Sequence, residues 1–118
     1  MMLKKIIKDA ASIAIGGHIR PDGDCVGSCL GLYQYLTENE TEKQVDVYLE
    51  EIPDAYADYV PDGVVRHQIP EGKVYDLFIC LDCGDEERLG FSKALYEQAI
   101  HTCCIDHHVS NEEFAEYN

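Results

Sequence analysis

Three short apolar runs, each ending abruptly in acidic residues or histidines, constrain the fold of this chain most strongly. They cover residues 12–17, 75–81 and 100–105. The polar residues that follow them are His18, Asp22 and Asp24 after the first run, Asp82 after the second, and Asp106, His107 and His108 after the third. The carboxyl ends of parallel strands meet at one edge of a sheet, so we expect these side chains to form one site.

The order of apolar patterns predicts an α/β fold with a mainly parallel sheet flanked by helices. Strands are predicted over residues 13–17, 45–49, 75–81 and 100–105, with a shorter one at 64–65. Helices are predicted over residues 3–11, 26–36 and 92–98, with a helical turn over 55–59 and Ser92 as the N-cap of the last helix. No domain boundary is evident, and 118 residues suffice for one domain with its own core.

The charge of the chain narrows the class of partner. A net charge of −14 argues against binding long duplex nucleic acid, because that role needs clustered lysines and arginines. Small phosphorylated substrates or short oligonucleotides, bound through cations, are favoured over long duplexes. No apolar run approaches the roughly 18 residues of a membrane span, and no signal-peptide core follows the basic start. A cytoplasmic location without membrane contact is therefore expected.

The six cysteines allow two interpretations. Cys80 and Cys83 have the spacing of a zinc knuckle, but a second such pair is absent. Cys80, Cys103 and Cys104 lie within apolar runs, where cysteine acts as a small buried hydrophobic residue. Structural cysteines are the preferred interpretation, and disulfides are not expected without a signal peptide.

The residues at the strand ends have the chemistry of a metal site. Carboxylates mixed with imidazole suit Mn²⁺, Mg²⁺, Fe²⁺ or Co²⁺, and two such ions about 3.5–4 Å apart activate water and clamp phosphoryl oxygens. Asp22 and Asp24 flank Gly23, so an extended backbone would present them to different ions. A helix opening at Gly27-Ser28 would offer its amides to an anion.

Each piece of this site also has a plain structural explanation. Asp-Gly-Asp is common in turns, Asp82 alone could cap the next helix, and adjacent histidines occur on surface loops. Their conjunction at three strand ends favours the metal site. His67 and His101 have no acidic motif nearby and are interpreted as incidental.

Three segments resemble the first three motifs of the DHH phosphoesterases. They read HIRPDGDCVGS over 18–28, LDCGDEERLG over 81–90 and DHHVSN over 106–111. The first loop looks most like the oligoribonuclease and pAp-phosphatase branch, some members of which cleave cyclic dinucleotides. Manganese-dependent pyrophosphatases are similar but typically carry Pro-Asp-Thr-Asp in this loop. The resemblance implies a hydrolase acting on pAp, short RNA or cyclic dinucleotides through a water activated by two metal ions.

The resemblance also implies a role for each site residue. His18 and Asp22 would bind one Mn²⁺, Asp24 and His107 the other, and Asp82 would bridge the two ions. His108 would face the scissile phosphate as a hydrogen-bond donor, and Asp106 would orient a histidine or the loop. Arg88 matches the family pattern as well, and a structural ion pair with a neighbouring glutamate is its preferred role.

The family pattern continues past the last residue of this sequence. DHH phosphoesterases carry a further metal-binding aspartate and a second domain with a glycine-rich substrate motif, and neither fits before Asn118. Residues 1–118 are thus expected to be the N-terminal part of a longer catalytic domain, with weak metal retention and little turnover alone. Pyrophosphate or polyphosphate hydrolysis, and a non-catalytic metal- and nucleotide-binding regulatory module, stay open as alternatives. The oligomeric state, including a homodimer, is open too.

Overall fold

A computed structural model describes residues 2–21, 23–39, 42–58, 60–81 and 86–105. Its elements, in chain order, are α1 (Met2–Asp9), β1 (Ser12–Gly16), α2 (Gly23–Asn39), β2 (Gln44–Tyr48), α3 (Asp54–Ala57), β3 (Val65–Arg66), β4 (Leu77–Leu81), a 3-10 segment (Glu86–Ser92), α4 (Lys93–Gln98) and β5 (His101–Ile105).

The five strands form one parallel sheet in the order β3-β2-β1-β4-β5. Gly16 at the end of β1 pairs with Tyr48 of β2 and with Cys80 of β4. From β1 the chain moves outward to β2 and β3, and then returns to the other side of β1 with β4. This reversal places a topological switch point between β1 and β4, where open α/β sheets bind their ligands. The predicted α/β fold with a mainly parallel sheet is confirmed.

Side chains alternate between the two faces of the sheet, so each strand contributes to two cores. The core beneath α1 and α2 contains Ile13, Ile15, Val45, Val47, Leu77, Ile79 and Cys103, together with Ile7, Cys25, Cys29 and Leu36 from the helical side. The core against the 3-10 segment and α4 contains Ala14, Tyr48, Tyr75, Phe78, Cys80 and Cys104, together with Leu89 and Leu95. Both faces are covered, as a parallel sheet requires.

Two local predictions at helix starts were wrong. Helix α2 begins at Gly23 rather than at Gly27-Ser28, so those two residues lie one turn inside it. Ser92 is not a side-chain N-cap: its backbone is helical (φ −73°, ψ −8°) and its hydroxyl donates to the Leu89 carbonyl at 2.9 Å. The reason is that a 3-10 segment runs directly into α4, so Ser92 continues a helical turn instead of starting one.

The five cysteines in the described ranges are buried and form no disulfide there, which agrees with their interpretation as small hydrophobic residues. They are Cys25, Cys29, Cys80, Cys103 and Cys104. Cys83 lies outside the described residues. Among the described helices, none combines the length and the apolar character needed to cross a bilayer.

Candidate metal centre

Two glycines bring the end of β1 into close contact with its neighbours. A Cβ on Gly16 would lie 2.5 Å from Cζ of Phe78, and a Cβ on Gly17 would lie 2.7 Å from Cδ2 of Leu49 and against Sγ of Cys25. Both distances are below any normal contact between carbon atoms, so neither position has room for a side chain. The pair therefore lets the chain leave β1 in close contact with side chains of both cores, and the next residue is His18.

His18 is buried at the switch point, with 6% of its surface exposed. Its Nδ1 lies 2.6 Å from the carbonyl oxygen of Ile19. When Nδ1–H donates to that carbonyl, Nε2 becomes the acceptor nitrogen of the ring, which is the form in which histidine ligates a metal. The backbone of the loop thus sets the orientation and the tautomer expected of a ligand at this position.

The loop after His18 is conformationally restricted. Arg20 has φ 53°, in the left-handed region that non-glycine residues seldom adopt, and Pro21 is buried. Helix α2 then begins at Gly23, with Asp24 exposed in its first turn. The expected extended backbone through Gly23 and Asp24 is therefore wrong, because these residues already belong to the helix. Asp24 consequently lies at the helix N-terminus, beside amides that carry partial positive charge.

Three residues next to this loop were missed by sequence reasoning. Tyr56 of α3 lies against Gly23, with ring atom Cε1 3.1 Å from where a Cβ of Gly23 would be. A Cβ on Gly90 would lie 2.5 Å from Oε2 of Glu50 and 2.6 Å from Cγ2 of Ile19. Gly90 has φ 62° and lies at the kink of the 3-10 segment. Because Gly90 has no side chain, the segment can pass close to the loop. Gly90 could have been singled out from the sequence because it belongs to the second motif. Glu50 and Tyr56 lie in an irregular stretch of sequence that offers no such signal.

The structure describes His18 and Asp24 among the seven predicted site residues. Asp22, Asp82, Asp106, His107 and His108 lie outside the described residues, as does the side chain of Arg88. The structure does describe the strand ends that precede Asp82 and Asp106. Leu81 and Ile105 pair with each other at the ends of β4 and β5, directly before residues 82 and 106 in the sequence.

The donors present at the switch point fit a divalent cation of the Mn²⁺ or Mg²⁺ class. His18 would offer an imidazole nitrogen and Asp24 carboxylate oxygens, and these are the ligand types that such ions accept. The thiols of Cys25 and Cys29 instead belong to the core beneath α2. Within the described ranges no group of three His, Cys, Asp or Glu residues is placed to hold a metal ion.

A separate cavity of about 520 Å³ lies at the amino ends of the strands, opposite the end where His18 lies. It is lined by α1 and by residues at the starts of β4 and β5, including Asp76 and His101. Asp76 accepts the backbone N–H of Ala11 at 2.8 Å, so its carboxylate holds the start of β1. His101 begins β5 at this edge, away from His18. The interpretation of His101 as incidental to the candidate centre therefore agrees with its position.

Comparison with known proteins gives a family match over nearly the whole chain. The model described as "DHH family, N-terminal domain" matches residues 12–118. The chain is similar to the crystal structure of an exopolyphosphatase-related protein from Bacteroides fragilis, with a TM-score of 0.80 and 28% sequence identity. The match covers 98% of this chain and 36% of that chain. No match was found among curated proteins.

Proposed function

The chain belongs to the DHH family, and from that premise we propose that it is part of a metal-dependent phosphoesterase acting on small nucleotides or short oligonucleotides. The observation that carries the proposal is the position of His18, buried at the switch point with its ring oriented by the Ile19 carbonyl. A buried, oriented imidazole at the carboxyl end of a central strand is suited to ligation rather than to packing.

The expected cofactor is a pair of divalent cations, Mn²⁺ by family resemblance, held by His18, Asp22, Asp24, Asp82 and His107. When bound, such ions activate water and offset the negative charge of phosphoryl oxygens. The chain's own contribution is to fix the donors. Nδ1–H of His18 donates to Ile19, and Asp24 is carried by the first turn of α2.

The start of α2 and two further residues have proposed roles around the phosphate. The amides at the start of α2 lie beside Asp24 and favour an anion there. His108 is proposed to donate a hydrogen bond to the scissile phosphate, with Asp106 orienting the histidines. These roles rest on the motif resemblance, since both residues lie outside the described ranges.

A second candidate is hydrolysis of pyrophosphate or polyphosphate. It is favoured by the name of the matched structure, an exopolyphosphatase-related protein. The two candidates share the proposed metal centre and differ in whether the leaving group is a sugar hydroxyl of a nucleotide or another phosphate. A direct comparison of substrates therefore separates them.

The test uses the full-length protein with Mn²⁺ and compares pAp, a 5′-phosphorylated dinucleotide, pyrophosphate and polyphosphate. We expect the two nucleotides to be hydrolysed fastest. His18→Ala and Asp82→Ala should each lose about 100-fold or more in kcat/KM, because each removes a proposed ligand of the ions that would offset phosphoryl charge. Calorimetric titration should show weaker Mn²⁺ binding by both variants.

His101→Ala is the matched control, since it removes a histidine at the opposite edge of the sheet. It should bind Mn²⁺ and turn over nucleotides like the wild type. Undiminished hydrolysis by Asp82→Ala would exclude the bridging role. Folded full-length protein that binds Mn²⁺ and nucleotide but hydrolyses none of the four substrates would favour the regulatory module.

A further inference from the structure

Tyr56 lies at the border of the candidate metal centre although no motif includes it. It belongs to α3, which follows β2 at the carboxyl edge of the sheet. Its ring atoms Cε1, Cζ and OH lie 3.1, 3.4 and 3.6 Å from where a Cβ of Gly23 would be. Gly23 stands between Asp22 and Asp24, two of the expected metal ligands. The phenol therefore contacts, through one edge, the loop that carries these two expected ligands.

The contact with Gly23 involves one side of the Tyr56 ring. Cε1, Cζ and OH form one edge of the phenol, so the contact with Gly23 uses the edge and not a face. Tyr56 is also only partly buried, unlike Tyr48 and Tyr75, which belong to the core. An aromatic ring beside a phosphate site is a common platform for a nucleobase, because every base has a π face.

Charge on this side of the centre favours a base over a second phosphate. Residues 50–65 contain five carboxylates, Glu50, Glu51, Asp54, Asp58 and Asp62, and no lysine, arginine or histidine. The next cation along the chain, Arg66, is paired through Nε with Oδ1 of Asp46 at 3.3 Å. A polyphosphate continuing past Tyr56 would meet this acidic stretch, whereas a neutral base would avoid the repulsion.

We propose that Tyr56 is a specificity-determining residue that stacks on the nucleobase next to the cleaved phosphate. The inference rests on the proposed nucleotide phosphoesterase function and adds the residue that distinguishes a nucleotide from an inorganic phosphate chain. The competing explanation is that Tyr56 only supports the loop through Gly23. Loss of loop support would weaken turnover of every substrate equally, whereas loss of stacking affects only substrates that carry a base.

The first experiment measures kcat and KM of the full-length protein on a 5′-phosphorylated dinucleotide, its abasic analogue and pyrophosphate. Tyr56→Ala should lower kcat/KM for the dinucleotide by about 5- to 100-fold, mainly through KM, the range expected for losing one stacked base. The abasic analogue and pyrophosphate should change less than twofold. Tyr56→Phe keeps the ring and should behave like the wild type, as should Tyr35→Ala, which removes an exposed tyrosine of α2.

The second experiment measures binding without turnover, with a dinucleotide that contains 2-aminopurine and no added metal. Quenching of the base fluorescence by wild type and Tyr56→Phe, and its loss in Tyr56→Ala, would support stacking even if the hydrolysis assays failed. Equal losses on all three substrates would overturn the proposal in favour of loop support. Absence of quenching by the wild type, or full quenching by Tyr56→Ala, would also overturn it. Failure of the proposed function would appear separately, as a wild type that hydrolyses none of the substrates.

Discussion

Gly17 shows how a single residue can decide the geometry of the candidate centre. An added methyl group would overlap Sγ of Cys25 and lie 2.7 Å from Cδ2 of Leu49. Both neighbours are fully or almost fully buried, so neither can move aside at low cost. The steric conflict would displace His18, the next residue, from its buried position after β1.

Gly17→Ala is therefore expected to lower the free energy of unfolding by about 1–3 kcal/mol, the usual cost of overpacking a core. Urea titration of the full-length protein measures this change. Gly27→Ala is the matched control, because a Cβ there meets nothing within 4 Å and the residue lies inside α2. That control should be stabilised by about 0.5–1 kcal/mol through helix propensity. Equal stability of the two variants would contradict the packing argument.

At this scale the sequence indicated candidate ligands but not the residues that surround them. His18 follows an apolar run in a recognisable loop, so its place at a strand end could be anticipated, whereas the position of Asp24 in the first turn of α2 was not. Glu50 and Tyr56 reach the same loop only because β2 lies next to β1. Nothing in their local pattern reveals a contact that depends on strand order.

Among the elements, the turn between α1 and β1 depends on charged side chains from distant parts of the chain. Nζ of Lys43 donates to the carbonyls of Lys8 and Ala10 at the end of α1, the first at 2.9 Å. Oδ2 of Asp76 accepts the N–H groups of Ala11 and Ser12 at 2.8 and 3.3 Å. A cation on the helix carbonyls and an anion on the following amides are the favourable arrangement at a helix C-terminus.

Lys43→Met should lower the free energy of unfolding by about 1–3 kcal/mol, because it removes charged hydrogen bonds to carbonyls. Chemical denaturation measures the loss, and hydrogen exchange should show faster exchange in α1. Lys8→Met removes the same charge from an exposed position of α1 and should change stability by less than about 0.5 kcal/mol. Equal changes in the free energy of unfolding for the two substitutions would mean that net charge, and not the hydrogen bonds of Lys43, determines the effect on stability.

The strands could be predicted from sequence, and several helix boundaries could not. Apolar runs predicted β1, β4 and β5 to within two residues, because the buried positions of these strands are apolar. The 3-10 segment over Glu86–Ser92 has no comparable signature, and it turned the expected cap at Ser92 into a continuing helical turn. Helix α2 begins before the first residue of its apolar pattern, because Gly23 and Asp24 are helical although neither is an apolar core residue.

For the whole molecule, the sequence indicated a parallel sheet without giving its strand order. The order β3-β2-β1-β4-β5 follows from which helices cover which face, and this depends on packing between residues far apart in the chain. Once the order is known, the first two motif segments border the switch point between β1 and β4. The strand ends that precede these two segments therefore lie side by side, and the convergence of the site residues stays a prediction.

Two buried groups, the thiol of Cys103 and the phenol of Tyr75, should make the stability of the domain depend on pH in the alkaline range. Burial, with the nearby Cys104 thiol, raises the pKa of Cys103 to about 11. Burial and a hydrogen bond to Asp46 raise the pKa of Tyr75 far above its ordinary value. Its hydroxyl donates to Oδ2 of Asp46 at 2.6 Å and lies 2.7 Å from that of Tyr48, so ionisation would place a second negative charge beside a carboxylate.

The sign of the effect follows from these raised pKa values. Below the unfolded pKa of Cys103, about 9, both states are protonated and the full stability is present. Between about 9 and 11 the unfolded chain releases the Cys103 proton while the folded protein keeps it, so the free energy of unfolding should fall as pH rises. Above pH 10 Tyr75 adds to the decline in the same way.

Urea titrations of the full-length protein at pH 8, 9, 10 and 11 measure this decline. Cys103→Ala should be less stable than the wild type at pH 8 because it leaves a small cavity, yet it should lose less stability between pH 9 and 11. Tyr75→Phe should likewise flatten the curve above pH 10, whereas Tyr35→Phe, which alters an exposed ring, should follow the wild type. A wild-type curve that is flat from pH 8 to 11 would mean that the thiol and the phenol are not protected by the fold. Since both groups lie in the cores on which β4 and β5 depend, that result would contradict the packing of the sheet itself.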